Sequence, residues 1–203
     1  AEVYAQSMND RGATAFITTR FGNVLDSAGS VVPLFRNQIE AGGPLTVTDP
    51  EVTRFFMTIS EAVSLILRAA AIGQGGETFV LEMGEPVKIL DLAREMIRLS
   101  GRVPDEDIAI EFIGLRPGEK LHEELFHTSE NSLATSHPKI LLSQARESDL
   151  QGAQQGLAEL AVACAAPRND ETIRQLLHRM VPEYLPFMPD RVESESEPPG
   201  KVH

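Results

Sequence analysis

Strand-like runs alternate along this chain with amphipathic helical patterns, and this alternation constrains the fold more than any other feature. Runs rich in β-branched, aromatic or alternating apolar residues predict strands over 14–21, 44–47, 77–83 and 108–114. Helices are predicted where apolar residues recur at helical spacing, over 1–10, 32–41, 60–73, 88–101, 149–165 and 170–181. Strands that alternate with helices are typical of the α/β class, so we expect a sheet covered by helices.

Polar residues and turn formers predict where these elements begin. Ser30 and Ser60 are candidate N-caps, because a serine hydroxyl can accept from the free backbone N–H groups of a helix's first turn. Pro117 and Gly118 predict a turn, after which residues 119–126 are expected to form a short helix.

The charge of the chain limits the kinds of partner it can have. Its formal net charge is −12, and an acidic surface repels nucleic-acid phosphates and anionic membranes, so neither is an expected partner. Glutamates concentrate near the C-terminus, where residues 189–203 are expected to form a disordered acidic tail. Residues 1–188 are expected to make up the folded part.

Several other classes of protein are disfavoured by what the sequence lacks. No apolar run is long enough to cross a bilayer, and the first residues do not have the basic start and apolar stretch of a signal peptide. The single cysteine, Cys164, allows no intrachain disulfide, and its small-residue helical context predicts a buried thiol. The histidines show neither HxH nor HExxH spacing, so no metal site is predicted, and a cytoplasmic location is favoured.

Three loops carry polar groups that a plain connection does not need. In the first, over 20–35, Asn23 follows the end of a predicted strand, where ligands bind in open parallel sheets. Its amide can donate to a phosphate oxygen or accept from a hydroxyl, and Gly22 allows the backbone to approach a ligand closely. On this segment alone, however, a plain turn is the better interpretation.

The second and third loops each contain an arginine. Arg54 lies beside two phenylalanines just before a helix, where its planar fork could bind a diphosphate or could pair with a nearby acid; the sequence favours neither. Arg116 follows the last predicted strand, and Glu119 is placed to accept from paired hydroxyls such as a ribose diol. The alternative is a capped helix start, with Glu119 and Glu123 near the helix dipole.

Taken in order, four segments resemble the CapD-type polysaccharide-biosynthesis proteins. These segments are RFGNVLDSAGSVVPLFRNQI, GGPLTVTDPEVTRFFMTISEAVSLILRA, GETFVLEMGEPVKILDLAREMIRLSG and FIGLRPGEKLHEELF. The family consists of extended short-chain dehydrogenase/reductases and includes UDP-N-acetylglucosamine 4,6-dehydratases. The resemblance implies the C-terminal portion of a Rossmann-type sheet with a small nucleotide-sugar-binding domain and C-terminal helices, together spanning 1–188.

The resemblance also implies roles for particular residues. For the substrate, Asn23, Arg54 and Arg116 would contact the nucleotide diphosphate, and Glu119 would accept from the ribose hydroxyls. The remaining implied substrate contacts are Val32, at the start of a helix that borders the nucleotide, and Leu45 and Val47, on a strand whose backbone meets the uracil. For the cofactor, NAD(P), Phe21 and Gly22 would lie near the nicotinamide.

Parts of the family pattern are not found in this sequence. The glycine-rich NAD(P)-binding loop and the active-site groups lie upstream in the family, so no catalytic residue is assigned here. We expect the chain to begin just after the family's catalytic lysine; Tyr4 is not the catalytic tyrosine, because Met8 stands where that lysine would follow. Asp26 occupies a position where glycine is expected.

These observations predict the nucleotide-sugar-binding part of a UDP-N-acetylglucosamine 4,6-dehydratase that is inactive alone, with NAD(P) bound in the intact enzyme. Two alternatives stay open: a sugar-nucleotide epimerase or reductase of the same superfamily, and a non-catalytic nucleotide-sugar-binding module. The strand at 14–21 is expected to expose a sheet edge, which predicts homo-oligomers or association through that edge. The resemblance is compatible with a membrane anchor in the N-terminal region of a parent protein.

Overall fold

A computed structural model describes residues 1–9, 13–125, 131–144, 150–166, 170–182 and 184. The chain divides into two compact units, Ala1–Leu150 and Gln151–His203, and each is considered by itself. None of the helices in the described ranges is long and apolar enough to cross a membrane. The expected acidic tail, 189–203, lies outside the described residues.

The first unit contains strands and helices in alternation, as the sequence predicts. Its helices are α1 (Glu2–Ser7), α2 (Val31–Glu40), α3 (Ile59–Ile72) and α4 (Ile89–Leu99). Its strands are β1 (Thr18–Arg20), β2 (Asn23–Val24), β3 (Leu45–Val47), β4 (Thr53–Arg54), β5 (Phe56–Met57), β6 (Thr78–Leu81), β7 (Val87–Lys88), β8 (Ile110–Phe112), β9 (Asn131–Ala134) and β10 (Ile140–Gln144). Two further helices follow, α5 (Leu150–Ala165) and α6 (Asp170–Met180).

The main sheet has the order β1-β6-β10-β9. Strands β1 and β6 are parallel, with Thr18 opposite Thr78, whereas β10 runs antiparallel to both β6 and β9. All four residues of β6 are buried, in keeping with its uninterrupted β-branched and apolar run. Among the described strands, β1 lies at an edge of this sheet; association through that edge stays a prediction.

Three two-stranded ladders hold the polar loops. Strand β2 runs parallel to β5, with Asn23 opposite Phe56, and β3 runs parallel to β8. Strand β4 pairs antiparallel with β7, so that Arg54 lies opposite Val87. These short ladders fix the backbone on either side of the candidate polar residues.

Two hydrophobic clusters form the interior of the first unit. One joins α2, α4, β3 and β8, and its fully buried members include Phe35, Leu45 and Ile97. The other joins α3, β5, β6 and β10, and includes Leu81 and Ile140. Burying side chains of this size contributes roughly 1.5–3 kcal/mol each relative to an exposed position.

The segment around β4 and β5 reaches both clusters. Val52 belongs to the cluster of α2 and α4, and Phe56 packs against that cluster. Met57 belongs to the cluster of α3, and Phe55 packs against it. Because neighbouring side chains of an extended segment point to opposite sides, one short stretch serves both interiors. Arg54 therefore lies in the backbone segment that joins the two clusters.

The start of α3 differs from the sequence prediction. Thr58, not Ser60, is the N-cap: its Oγ1 accepts from the Glu61 backbone N–H, and the Glu61 carboxylate accepts from the Thr58 backbone N–H. The hydrogen bonds from the Thr58 backbone and hydroxyl lower the pKa of Glu61 below its ordinary value. Ser30 is the N-cap residue of α2 but makes no side-chain cap hydrogen bond.

The short helix predicted after the Pro117-Gly118 turn is wrong over the residues described, 119–125. This segment runs beside β4, where the Thr53 N–H donates to the Leu121 carbonyl over 3.0 Å and Thr53 forms a bridge with His122. Its polar side chains are engaged by distant residues, and these contacts outweigh the local preference for a helix.

In the second unit, α5 and α6 pack closely. A Cβ placed on Gly156 would lie 2.9 Å from Met180 Cγ, so the glycine permits the approach of the two helices. Arg179 also pairs with Glu159. The predicted burial of Cys164 is wrong: Cys164 is exposed, because its neighbour Ala163 occupies the buried side of α5.

Candidate functional site

Of the two arginines assigned to the candidate site, Arg54 makes more hydrogen bonds to the described residues than Arg116. Its side chain is only 15% exposed. Nη1 donates to the carbonyls of Thr53, at 2.8 Å, and Leu121, at 3.1 Å. The guanidinium thus ties β4 to the 119–125 segment through backbone groups as well as through charge.

Glu119 receives three donors from three separate parts of the chain. Its Oε1 accepts from Arg54 Nη2 at 3.0 Å and from Thr48 Oγ1 at 3.1 Å. Its Oε2 accepts from the Arg116 backbone N–H at 3.2 Å. The carboxylate therefore anchors the loop that carries Arg116.

Glu123 is a second carboxylate at the site, and the sequence interpretation did not assign it a ligand-site role. Its Oε2 accepts from the Phe55 N–H at 3.0 Å, and its Oε1 lies 3.7 Å from Arg54 Nε. Asn23 Nδ2 donates to both of its oxygens, at 3.0 and 3.2 Å. Glu119 and Glu123 are separated by an even number of positions, which in an extended segment places both carboxylates on the same side. This spacing is the sequence signal that could have placed Glu123 beside Glu119.

Asn23 contacts Phe55, the residue just before β5, through both its backbone and its side chain. The backbone N–H donates to the Phe55 carbonyl at 2.8 Å, and Nδ2 donates to the same carbonyl at 3.2 Å. With Glu123 as the other acceptor, both Nδ2 hydrogens are engaged. The structure thus brings Asn23, Arg54 and Glu119 into one continuous polar cluster through Glu123.

Arg116 contrasts with Arg54. It is exposed, and its guanidinium has no hydrogen-bond or ion-pair partner among the residues that the structure describes. Glycines at 114 and 118, both with φ of +79°, turn the backbone on either side of it. In the same loop, Lys120 is paired with Glu124 at 3.1 Å, so its charge is already compensated.

Two of the predicted substrate residues are core residues. Leu45 and Val47 are 0% and 1% exposed, and the Leu45 N–H and Val47 carbonyl bond to the β8 segment. Val32 lies half-buried in the first turn of α2. The structure does not place these side chains in the polar cluster, and their ligand contacts stay predictions.

The predicted cofactor residues lie at the start of β2. Phe21 packs against the cluster of α3, and a Cβ on Gly22 would lie 2.8 Å from Phe55 Cβ. The Gly22 N–H points to Met83 Sδ at 3.5 Å. These residues supply apolar surface and a tight backbone approach, and their contact with the nicotinamide of NAD(P) stays a prediction.

Asp26 has a backbone conformation that explains the glycine expected there. Its φ is +61°, in the left-handed region that glycine adopts at least cost and aspartate tolerates. Its carboxylate pairs with Arg36 at 3.0 Å, so its charge is compensated locally.

No group of three His, Cys, Asp or Glu side chains suited to a metal ion occurs among the described residues. The site is therefore defined by one exposed arginine, one engaged arginine, two carboxylates and an amide. Its residue Asn23 follows the carboxyl end of β1, which is parallel to β6, and begins β2, which is parallel to β5. Open α/β sheets bind ligands at the carboxyl ends of their parallel strands.

The fold defines the class: this is the mixed α/β fold of the Rossmann-type extended short-chain dehydrogenase/reductases. A family model described as "Polysaccharide biosynthesis protein" matches residues 1–145. The chain belongs to this polysaccharide-biosynthesis family, and the resemblance found in the sequence is confirmed.

Two curated relatives illustrate the likeness. The capsular polysaccharide biosynthesis protein CapD of Staphylococcus aureus is 63% identical over 131 residues, which are 64% of this chain and 22% of CapD. The probable polysaccharide biosynthesis protein EpsC of Bacillus subtilis is 50% identical over 149 residues, 73% of this chain and 25% of EpsC. The chain thus spans about a quarter of the length of these relatives.

Among solved structures, the X-ray structure of Pen from Bacillus thuringiensis matches with a TM-score of 0.60 and 40% sequence identity. The match covers 69% of this chain and 43% of Pen.

Proposed function

We propose that this chain forms the nucleotide-sugar-binding part of a sugar-nucleotide-modifying enzyme of polysaccharide biosynthesis, with a UDP-N-acetylglucosamine 4,6-dehydratase as the specific candidate. Membership of the polysaccharide-biosynthesis family supports a role in polysaccharide biosynthesis. The relatives are about four times longer than the matched segment, so the complete reaction, with NAD(P), is proposed for a parent enzyme.

The observation that carries the proposal is the guanidinium of Arg116, which has no partner among the described residues and lies on an anchored loop. A planar guanidinium binds phosphate oxygens through two parallel hydrogen bonds. Because Arg116 has no acidic partner in the described part of the chain, no ion pair must break before a diphosphate binds. Glu119 fixes the loop through the Arg116 backbone N–H and leaves the side chain available.

Arg54 has a more restricted role in this proposal. An arginine has five N–H donors; two of Nη1 and one of Nη2 are used, and Nε faces Glu123. One Nη2 hydrogen remains for a phosphate oxygen. Arg54 therefore contributes at most a single direct hydrogen bond and mainly positions Glu119 and Glu123.

Glu119 can still serve as the acceptor for a ribose hydroxyl. A carboxylate offers about four lone-pair positions, and three donors already occupy this one. One position is left for a hydroxyl. In this proposal Arg116 neutralises the diphosphate and Glu119 fixes the nucleoside, so that binding energy from the nucleotide orients the sugar for the chemistry of the parent enzyme.

The remaining predicted contacts are retained as secondary elements of the proposal. Val32 would border the nucleotide from α2, and the backbone near Leu45 and Val47 would approach the base. Phe21 and Gly22 would contribute an apolar wall near the nicotinamide of NAD(P), a cofactor that supplies hydride transfer when bound.

Calorimetric titration of the chain with UDP, UMP and uridine tests the proposal. Because the diphosphate supplies the charge that Arg116 recognises, affinity should decrease in the order UDP, UMP, uridine, and should weaken as salt rises. Equal affinities for UDP and uridine, or no binding of UDP at millimolar concentration, would contradict the proposed function.

A further inference from the structure

We infer that Glu123 is a positioning residue that fixes the Asn23 side-chain amide as a hydrogen-bond acceptor, so that Asn23 recognises a donor on the sugar, a hydroxyl or an acetamido N–H, and not a phosphate oxygen. This inference rests on the proposed function, because it concerns the same nucleotide-sugar site.

The surroundings of Asn23 determine which way its amide faces. Nδ2 lies 3.2 Å from the Phe55 carbonyl oxygen and 3.0 and 3.2 Å from the two oxygens of Glu123. A carbonyl and an ionised carboxylate can only accept hydrogen bonds. The inverted amide would set Oδ1 against three acceptor oxygens and lose a charge-assisted hydrogen bond, so this orientation is excluded.

Glu123 cannot easily move away to release the amide. Its Oε2 accepts from the Phe55 backbone N–H at 3.0 Å, and Oε1 lies 3.7 Å from Arg54 Nε. The backbone donor belongs to the same residue whose carbonyl binds Asn23. Phe55 and Glu123 therefore hold the amide from two sides, across 100 positions of sequence between Asn23 and Glu123.

The acceptor side of the amide is left open. Asn23 Oδ1 has no partner among the described residues. It is not fully buried either, because Ser30 Oγ is the one fully buried side-chain nitrogen or oxygen without a partner in the described part of the chain. A ligand atom that approaches Asn23 therefore meets an acceptor oxygen.

The chemistry of the ligand then decides what Asn23 can bind. The bridging and terminal oxygens of an ionised diphosphate are acceptors, and they repel another acceptor. Sugar hydroxyls and an acetamido N–H are donors and pair with Oδ1. Uracil also carries an N–H donor, but the proposal places the base at the backbone near Leu45 and Val47. With Arg116 proposed for the diphosphate and Glu119 for the ribose, the sugar is the remaining part of the ligand that carries such donors.

The test measures the affinities of the full chain for UDP, UDP-glucose and UDP-N-acetylglucosamine. In the Asn23→Ala variant, affinity for the sugar nucleotides should fall about 3- to 10-fold, the loss of one hydrogen bond, while UDP affinity stays within about twofold. A loss confined to UDP-N-acetylglucosamine identifies the acetamido group as the donor; equal losses for both sugars identify a hydroxyl. An equal loss of UDP affinity would overturn the inference.

Glu123→Gln tests the positioning role, since a glutamine can accept from or donate to the amide and lets Asn23 invert. The preference for sugar nucleotides over UDP should fall about 3- to 10-fold, whereas Glu124→Gln, with the same charge change on the neighbouring exposed residue, should keep it. The side-chain NH₂ resonances of Asn23, identified by their loss in Asn23→Ala, should shift in Glu123→Gln and not in Glu124→Gln.

The outcomes separate this inference from the proposed function. If wild-type chain binds UDP but the sugar preference and the Asn23 resonances are unchanged in Glu123→Gln, the inference is overturned and the proposed function stands. If wild-type chain does not bind UDP, both fail. Should Glu123→Gln not fold, as judged by circular dichroism, the Asn23→Ala comparison decides the matter alone.

Discussion

The guanidinium of Arg54 donates to the Glu119 carboxylate over 3.0 Å, although the two residues lie 65 positions apart in the sequence. The same guanidinium faces Glu123, and these side chains are 15%, 23% and 29% exposed. This partly buried network joins β4 to the loop that carries Arg116. Through the hydrogen bond from the Arg116 N–H to Glu119, the network fixes the backbone of the loop on which the exposed Arg116 side chain lies.

Loss of Arg54 should destabilise the fold. Arg54→Met keeps an unbranched apolar side chain but removes one hydrogen-bond donor from Glu119 and from each of two backbone carbonyls, and it removes the cation that faces Glu123; it should lower the free energy of unfolding by about 2 kcal/mol. Urea denaturation measures it. Arg36→Met, which breaks the pair with Asp26 in which both side chains are 53% exposed, should cost less than about 0.5 kcal/mol; equal effects would argue against the network.

The N-cap of α3 gives a second prediction. Thr58→Ala removes the hydroxyl that accepts from the Glu61 N–H, and should lower the free energy of unfolding by about 1 kcal/mol. Ser60→Ala is the matched control, because Ser60 is exposed and is not the cap; it should change stability by less than about 0.5 kcal/mol. A larger effect at Ser60 than at Thr58 would contradict the observed capping box.

The turn between α3 and β6 should be sensitive to pH. Burial raises the pKa of Glu77, but hydrogen bonds from backbone N–H groups, including those of Gln74 and Gly75, outweigh it and hold the pKa below its ordinary 4.5. Its contribution is therefore present above pH 4.5 and disappears as the pH falls through the lower, folded-state pKa.

Glu77→Gln should accordingly reduce the free energy of unfolding by about 0.5–1 kcal/mol at pH 7, a value that allows for solvent screening. The difference from wild type should shrink below pH 4.5. Denaturation at a series of pH values measures it, with the exposed Glu82→Gln as control. A stability difference that grows on acidification would contradict this prediction.

Gly22 should tolerate no side chain. An added Cβ would lie 2.8 Å from Phe55 Cβ and 2.9 Å from its carbonyl oxygen, distances that require the backbone to move. Gly22→Ala should therefore lower the free energy of unfolding by about 1–3 kcal/mol. Thermal and urea denaturation measure the change. Unchanged stability would mean that Gly22 is not required for the packing of β2 on Phe55 and that its close approach is used by a ligand.

Local patterns were sufficient for α1 to α4 and for β1, β3, β6 and β8 of the first unit. The amphipathic runs that became α2 and α4, and the apolar run of β6, report burial directly because each element buries its own periodic face. Residues 119–125 were predicted wrongly because their acids bond to Arg54 and to the Phe55 backbone, contacts that no local window contains.

The candidate site was only partly predictable for the same reason. In the sequence, Arg54 and Arg116 are two similar arginines in polar loops. Three-dimensional contacts distinguish them, since Arg54 bonds to several acceptors, whereas the guanidinium of Arg116 has none among the described residues. Glu123 was assigned to a helix start because its partners, Asn23 and Phe55, lie 100 and 68 positions away.

We propose that Arg116 is the exposed cation that binds the diphosphate of a nucleotide sugar. The most direct measurement compares UDP binding by wild type, Arg116→Ala and Arg68→Ala, in which an exposed arginine of α3 is removed with the same change in charge. We predict that Arg116→Ala weakens UDP binding at least about tenfold without loss of stability, and that Arg68→Ala does not. Equal UDP affinities in Arg116→Ala and wild type would show that Arg116 does not bind the diphosphate.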